Sequence, residues 1–156
     1  MALIIEAPNE VYSVENMHNA KIFLAGGITN CPNWQKDIIE KLQIFPNITI
    51  YNPRREIYPS NDRKSVEEQI TWEFKHLLEA TIIIYWFSKG SVNPITLFEL
   101  GRYGLSGDTP ILIGIDPEYE RKEDVEIQTS LSRPEVVIYD NIGDIVDKLY
   151  KVFETH

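Results

Sequence analysis

Five short apolar segments alternate with longer amphipathic segments along this chain, and Ala80–Phe87 is the most apolar of them. Its unbroken run Ile-Ile-Ile-Tyr-Trp-Phe is typical of a strand covered on both faces. Strands are predicted at Lys21–Ala25, Ile48–Tyr51, Ala80–Phe87, Pro110–Ile115 and Glu135–Tyr139. Helices are predicted at Pro32–Gln43, Lys64–Glu79, Asn93 to near Gly107, within Pro117–Arg133, and at Asn141–Phe153. This alternation predicts an α/β fold with a doubly wound, five-stranded parallel sheet of the flavodoxin/Rossmann-like kind.

The first 20 residues are weakly patterned, and we interpret residues 1–20 as a lead-in or an edge strand over Ala2–Ala7. The remaining residues, 21–156, are expected to form a single domain because no linker or repeat interrupts them. In open parallel sheets, ligands bind beyond the carboxyl ends of the strands. Ala25–Thr29, Asn52–Arg55 and Ser88–Asn93 are therefore expected to share one rim.

Composition and charge restrict the function. The chain has 156 residues, a net charge of −9 and a single cysteine, Cys31. An acidic chain repels phosphate backbones, so a nucleic-acid polymer is not expected as a partner, whereas one small nucleotide is compatible with local backbone donors. The single cysteine fits a reducing compartment, and no apolar run is long enough to span a membrane. We expect a cytoplasmic protein with no cofactor, no metal site and no membrane contact.

The segment Asn93–Gly101 contains the first candidate for chemistry, Glu99. Asn93 is predicted as the N-cap and Pro94 as the first residue of a helix, which makes Glu99 the sixth helical residue. That position is too deep for a capping box and lies past the first turn, where the helix dipole favours an anion. Either Glu99 is a solvated acid with Arg102 or Tyr103 as a local partner, or it has a chemical role.

Glu73 is the second candidate. It lies within an apolar stripe that is predicted to be the inner face of its helix, formed by Val66, Ile70, Phe74 and Leu77. A carboxyl group that faces a core must be paired, protonated or next to a wet pocket. The alternative is an edge position from which Glu73 reaches water past Lys75 or His76, and His76 itself is predicted at the surface.

Other residues at the predicted rim have two interpretations each. Gly26 and Gly27 either permit close approach of a ligand, with Ile28 beside them, or only form a tight turn. Gly101 and Gly104 indicate close helix–sheet approach or room for a ligand. The pair Arg54–Arg55 either binds an anion or is solvated. The three tryptophans are core residues or base-stacking platforms: Trp34, Trp72 and Trp86.

These motifs together resemble the nucleoside 2-deoxyribosyltransferase family. The matching stretches are Phe23–Ile28, Tyr51–Arg55, Trp72–Ala80, Asn93–Gly101 and Asp124–Thr129, within roughly Lys21 to Tyr139. The resemblance implies that Glu99 is the nucleophile and that Glu73 contacts the substrate. It also implies that Ser91 and the loop with Gly26, Gly27 and Ile28, called the glycine loop below, bind a phosphate. Well-studied transferases have Asp at the position of Glu73, and a second Asp where this chain has Asn93.

The resemblance implies cleavage of the N-glycosidic bond of a (deoxy)nucleoside or nucleotide through a glycosyl-enzyme intermediate on Glu99, by base transfer or by hydrolysis. Asn93 is expected to bind the substrate through hydrogen bonds to the sugar or the base, but it cannot shuttle protons as an Asp does, so cleavage is more strongly indicated than base exchange. The alternatives are a catalytically weak nucleotide-binding sensor and cleavage of NAD-like dinucleotides. The family also implies a homodimer or higher homo-oligomer, in which Asp124 or Gln128 completes the site of a neighbouring subunit.

Overall fold

The computed structural model describes residues 1–10, 19–58 and 61–155, and within these ranges it has one parallel sheet between two helical layers. The strands are β1 Leu3–Glu6, β2 Ala20–Gly26, β3 Ile48–Asn52, β4 Ile82–Phe87, β5 Ile111–Ile115 and β6 Ile138–Tyr139. The helices are α1 Trp34–Leu42, α2 Arg63–Glu79, α3 Pro94–Glu99, α4 Lys122–Ser132 and α5 Ile142–Glu154, and a π-helical turn, Leu100–Gly104, continues α3. The predicted α/β class and flavodoxin/Rossmann-like architecture are confirmed.

The described sheet has six strands in the order β1-β3-β2-β4-β5-β6, and every neighbouring pair is parallel. The prediction of five strands was one short, because the segment interpreted as a lead-in or edge strand pairs with β3. Leu3 lies opposite Thr49, and Glu6 lies opposite Asn52. Part of the predicted lead-in, residues 11–18, lies outside the described residues, as does Pro59 of the loop after β3.

Two apolar cores lie on opposite faces of the sheet, which explains why β4 is apolar at every position. On one face, α2, α3 and α4 pack over side chains such as Tyr85 and Phe87. On the other face, α1 and α5 pack over Ile84 and Trp86. The three tryptophans are buried, so the interpretation of Trp34, Trp72 and Trp86 as core residues is confirmed.

The apolar stripe of α2 is not its inner face, and the prediction was wrong for three of its four residues. Val66, Ile70 and Phe74 are 42–58% exposed, and of the predicted stripe only Leu77 is buried. His76, predicted at the surface, is only 3% exposed and stacks on Trp72 with 4.3 Å between ring centroids. The helix has two adjacent apolar faces, and hydrophobic periodicity does not distinguish the one that meets the sheet.

Candidate active site

The candidate site lies at the carboxyl ends of β2 and β4, where the chain leaves the sheet in opposite directions. After β2 it passes into α1 on one face, and after β4 it passes into α3 on the other face. Such a divergence of neighbouring loops opens a crevice at the rim of an α/β sheet, and ligands commonly bind there. The fold therefore places the glycine loop and the start of α3 side by side, as the predicted rim requires.

The side chain of Asn93 joins these two loops and does not cap α3. Asn93 is the N-cap residue by position, as predicted, and its carbonyl accepts a hydrogen bond from the N–H of Leu97 at 3.1 Å. Its backbone is left-handed, however, with φ of 53°, and its side chain makes no capping hydrogen bond. Instead Nδ2 donates to the carbonyl oxygens of Ser88 at 3.1 Å and Ser91 at 2.7 Å. Pro94 is the first helical residue, as predicted. The amide of Asn93 therefore holds the loop after β4 in a closed turn, and its Oδ1 faces the loop after β2.

The glycine loop is packed tightly by the protein itself. A Cβ atom on Gly27 would overlap Oδ1 of Asn93 and Sγ of Cys31, and a Cβ atom on Gly26 would overlap the ring of Trp34. Nε1 of Trp34 donates to the carbonyl of Gly27 at 3.1 Å. These contacts favour the tight-turn interpretation of both glycines. Ile28, the next residue, is half-buried in the same turn.

The two glycines after Glu99 differ in their surroundings. A Cβ atom on Gly104 would come within 3.1 Å of the Tyr85 ring, so Gly104 permits close approach of the π-helical turn to β4. Gly101 is exposed, and a Cβ atom added to it would meet no neighbouring group within 4 Å. Close helix–sheet approach therefore explains Gly104 but not Gly101.

Glu99 is the last residue of α3 and is buried, with 9% of its surface exposed. Its side chain makes no hydrogen bond or ion pair within the described residues, and its Oε2 is fully shielded from solvent. The predicted local partners lie elsewhere: the guanidinium of Arg102 stacks on the rings of Phe74 and Tyr103, at 5.6 and 5.2 Å from their centroids. The interpretation of Glu99 as a solvated, locally paired acid is therefore wrong. Single π-helical turns within α-helices, such as the one that follows Glu99, occur frequently at functional sites.

The two candidate acids, on adjacent helices of one face, influence each other electrostatically. Burial, and next the charge of Glu73, raise the pKa of Glu99 to about 8. Burial also raises the pKa of Glu73, while a hydrogen bond from Gln69 and the charge of Arg55 act in the opposite direction. The site therefore favours a protonated Glu99 near neutral pH. Strongly shifted acids with a specific partner at a rim mark candidate catalytic groups.

A chain of hydrogen bonds reaches Glu73 from the loop after β3. Nε of Arg55 donates to Oε1 of Gln69 at 2.6 Å, and Nε2 of Gln69 donates to Oε1 of Glu73 at 2.9 Å. Arg55 is 8% exposed, so the solvated alternative is wrong for this arginine. Arg54 donates to the carbonyls of Cys31 and Pro32 and thereby ties this loop to the glycine loop. The sequence interpretation missed Gln69, although its position four residues before Glu73 places the two on one helix face.

The remaining predicted site residues, Ser91, Asp124 and Gln128, differ in how far their side chains are exposed to solvent. Ser91 is half-buried, and its Oγ accepts a hydrogen bond from the backbone N–H of Asn93 at 3.3 Å. Ser88, which the sequence interpretation did not consider, has a buried hydroxyl with no hydrogen bond to the described part of the chain. Asp124 and Gln128 are exposed on α4, and Asp124 pairs with Arg121.

Comparison with known proteins identifies the same family as the motifs do. The family model described as nucleoside 2-deoxyribosyltransferase like matches residues 19–119, which is more than half of the chain. The matched region contains Glu73, Glu99 and the glycine loop, whereas α4 with Asp124 and Gln128 follows it. Among curated proteins, no sequence match is found. In the described ranges, no helix is long and apolar enough to cross a bilayer, and no group of three or more His, Cys, Asp or Glu residues could hold a metal ion.

Proposed function

The chain belongs to the nucleoside 2-deoxyribosyltransferase-like family, and we propose that it cleaves the N-glycosidic bond of a (deoxy)nucleoside or nucleotide with Glu99 as the nucleophile. The observation that supports this most directly is a buried carboxyl group, Glu99, without a hydrogen-bond partner in the described residues and next to a second acid. Keeping such a group buried costs stability, and that cost is expected where the group reacts with a ligand.

The proposed reaction is a double displacement. The Glu99 carboxylate attacks C1′ of the sugar while the C1′–N bond breaks, and the base leaves with the bonding electron pair and takes up a proton. The resulting ester of Glu99 is then opened at C1′ by water or by a second base from the opposite face. Two inversions retain the configuration, as in retaining glycoside hydrolysis with a nucleobase as the leaving group. The scheme involves only carboxyl groups and water.

The proton needed by the leaving base is supplied by the pair of acids. We propose that near neutral pH the pair holds one proton and that it resides on Glu99, whose pKa is raised to about 8 by burial and by the charge of Glu73. Transfer of this proton from Glu99 towards Glu73 or the bound base ionises the nucleophile and provides the acid in the same event. A pair that keeps both protons has no nucleophile, and a pair that has lost both has no acid.

The loops around the pair are proposed to bind the sugar and a phosphate. The Ser91 hydroxyl accepts a hydrogen bond from the backbone N–H of Asn93, which leaves its own hydrogen available for a phosphate oxygen. We propose that backbone groups of Gly26, Gly27 and Ile28 contribute from the other loop. A nucleotide is therefore preferred to a nucleoside.

Hydrolysis is proposed over base exchange because of Asn93. Its Nδ2 is engaged by two backbone carbonyls, and an amide has no titratable proton to pass between an incoming and an outgoing base. The same observation favours one second candidate, a nucleotide-binding sensor with weak turnover. Tight nucleotide binding without any product after long incubation would favour the sensor.

We also propose a cytoplasmic homo-oligomer. The exposed apolar residues of α2 recur every four positions, and Phe74 also contacts Tyr103 of the π-helical turn, with 6.5 Å between ring centroids. Exposed apolar area of this kind is characteristic of protein–protein contact surfaces. Its members are Val66, Ile70, Phe74 and Leu78, all 42–61% exposed. In such an assembly Asp124 or Gln128 of a neighbouring subunit is proposed to reach the site.

The experiment is incubation of the pure protein with a panel of nucleosides, 5′-monophosphates and NAD, with free base measured by chromatography. Glu99→Gln is expected to lower the release of base by roughly 1,000-fold or more, and Glu67→Gln, an exposed acid on α2, serves as the matched control. If no substrate releases base faster with the wild type than with Glu99→Gln, the proposal is refuted. Turnover of NAD in preference to the monophosphates would assign the chain to dinucleotide cleavage instead.

A further inference from the structure

The side chain of Gln69 has a fixed orientation, which follows from the hydrogen-bonding capacity of its neighbours. Arg55 has only donors, so it must face the amide oxygen, and the distance from Nε to Oε1 is 2.6 Å. The backbone carbonyl of Pro53 has only acceptor capacity, and it receives Nε2 of Gln69 at 2.9 Å. The second hydrogen of the amide therefore points to Oε1 of Glu73, at 2.9 Å.

Arg55 makes a second contact that helps to hold its guanidinium in place. Its Nη2 donates to Oε1 of Glu68 at 3.0 Å, and its side chain is 6% exposed. A charge-assisted hydrogen bond from the guanidinium polarises the amide, which makes Nε2 a better donor to a carboxylate. The positive charge of Arg55 thereby acts on Glu73 through one intervening side chain.

We propose that Gln69, polarised by Arg55, is a positioning residue that keeps Oε1 of Glu73 as an acceptor and so keeps the single proton of the acid pair on Glu99. The inference rests on the proposed function of this pair. It assigns Arg55 to the control of Glu73, because the Nε and Nη2 atoms of Arg55 already donate to Gln69 and Glu68, and it leaves phosphate binding to the loop groups.

The groups that face Glu73 come from three elements. Gln69 lies on its own helix, Arg55 and Tyr58 lie on the loop after β3, and Glu99 lies on α3. Glu99 is the other carboxyl group among them, and burial raises the pKa of the Tyr58 hydroxyl above its ordinary value of 10.0. Loss of the Gln69 donor is therefore expected to act first on the carboxyl group of Glu73, which loses its hydrogen bond.

The test uses Gln69→Met, which keeps the length of the side chain and removes both amide groups, and Gln69→Glu, which replaces the donor by a carboxylate. In substrate-free protein with ¹³C-labelled glutamate, carboxyl signals are assigned by Glu73→Gln and Glu99→Gln and followed by NMR from pH 4 to 9. Both Gln69 variants are expected to move the titration of Glu73 to higher pH, and Gln69→Glu more than Gln69→Met. Glu68→Gln, which removes only the outer partner of Arg55, is the control and is expected to cause no such rise.

Activity provides a second readout. A hydrogen bond to a charged group shifts its pKa by about one unit or more, so loss of the Gln69 donor should raise the pKa that governs the acid side of the pH profile. The kcat/KM of Gln69→Met is therefore expected to fall about tenfold on the acid side and much less on the alkaline side. A uniform loss at all pH values, or an unchanged Glu73 titration in folded Gln69→Met, overturns the inference. The NMR result does not depend on turnover, so an inactive wild type would refute the proposed function while the titration still decides the role of Gln69.

Discussion

Glu99→Gln is expected to stabilise the protein, and the gain should increase with pH. Glutamine has nearly the shape of glutamic acid and never ionises, so it replaces the protonated form that the buried site favours. The pKa of Glu99 is raised from 4.5 to about 8, first by burial and then by the charge of Glu73. The folded protein therefore binds this proton more tightly than the unfolded chain does.

The sign and size follow from proton linkage. Because the pKa in the folded state is the higher one, wild-type stability falls as pH rises from 4.5 to 8, in the window where the unfolded chain has already lost the proton. A shift of this size corresponds to about 5 kcal/mol in full, of which about 3 kcal/mol accrues between pH 5 and pH 8. Glu99→Gln has no such loss, so its advantage over the wild type should grow by about 3 kcal/mol across this range.

The assay is urea unfolding of both proteins at pH 5, 6, 7 and 8, with the free energy of unfolding taken by linear extrapolation. Glu67→Gln, exposed on α2, is the control for loss of one negative charge from an acidic protein. A difference between Glu99→Gln and wild type that is the same at pH 5 and pH 8 would refute the buried, high-pKa description of Glu99. A rise with pH for Glu67→Gln of equal size would assign the effect to net charge.

The packing of the molecule leads to three other predictions. Gly27→Ala should lower the free energy of unfolding by about 1–3 kcal/mol, because the new Cβ atom overlaps Asn93. Gly101→Ala places its Cβ atom in open space within a helical turn and should raise the free energy of unfolding by about 0.5–1 kcal/mol. Urea unfolding measures both changes. His76 is buried and burial lowers its pKa, so the stability of the folded protein should fall as pH drops below 6.5. In thermal melts His76→Phe should flatten this pH dependence, and an equally steep dependence in the variant would contradict the prediction. Ile70→Glu should lower the association state in analytical ultracentrifugation if the α2 surface joins subunits, and a wild type that is monomeric at all concentrations would contradict the oligomer.

Local signals in the sequence were sufficient for most secondary structure. The run Ile82–Phe87 is apolar at each position because both faces of β4 are covered, and such a run cannot be a surface helix or loop. The start of α3 at Pro94 was predictable for a similar reason, since its fixed φ suits a first helical turn. The strand β1 was left open between two interpretations because it has only four residues and one neighbouring strand.

Predictions failed where the answer depends on a partner from elsewhere in the chain. Asn93 is at the predicted N-cap position, but its amide donates to the carbonyls of Ser88 and Ser91, and its side chain makes no capping hydrogen bond to α3. His76 looks like a surface residue, but the ring of Trp72 and the adjacent sheet enclose it. The spacing of Gln69 and Glu73 places them on one helix face, but only the folded structure shows that Arg55 from another element donates to the same amide.

The amino-acid order was enough to predict the class of fold, the rim at which the loops meet and the two acids that are candidates for chemistry, because periodicity, turn residues and motifs can be read along the chain. Folding in three dimensions was needed to show that Glu99 is buried and unpaired within the described residues, and that Arg55 and Gln69 act on Glu73. Solvation and charge coupling depend on distances between helices that are far apart in sequence. The pKa of a carboxyl group is therefore a property of the folded site, even when the sequence indicates which carboxyl group to examine.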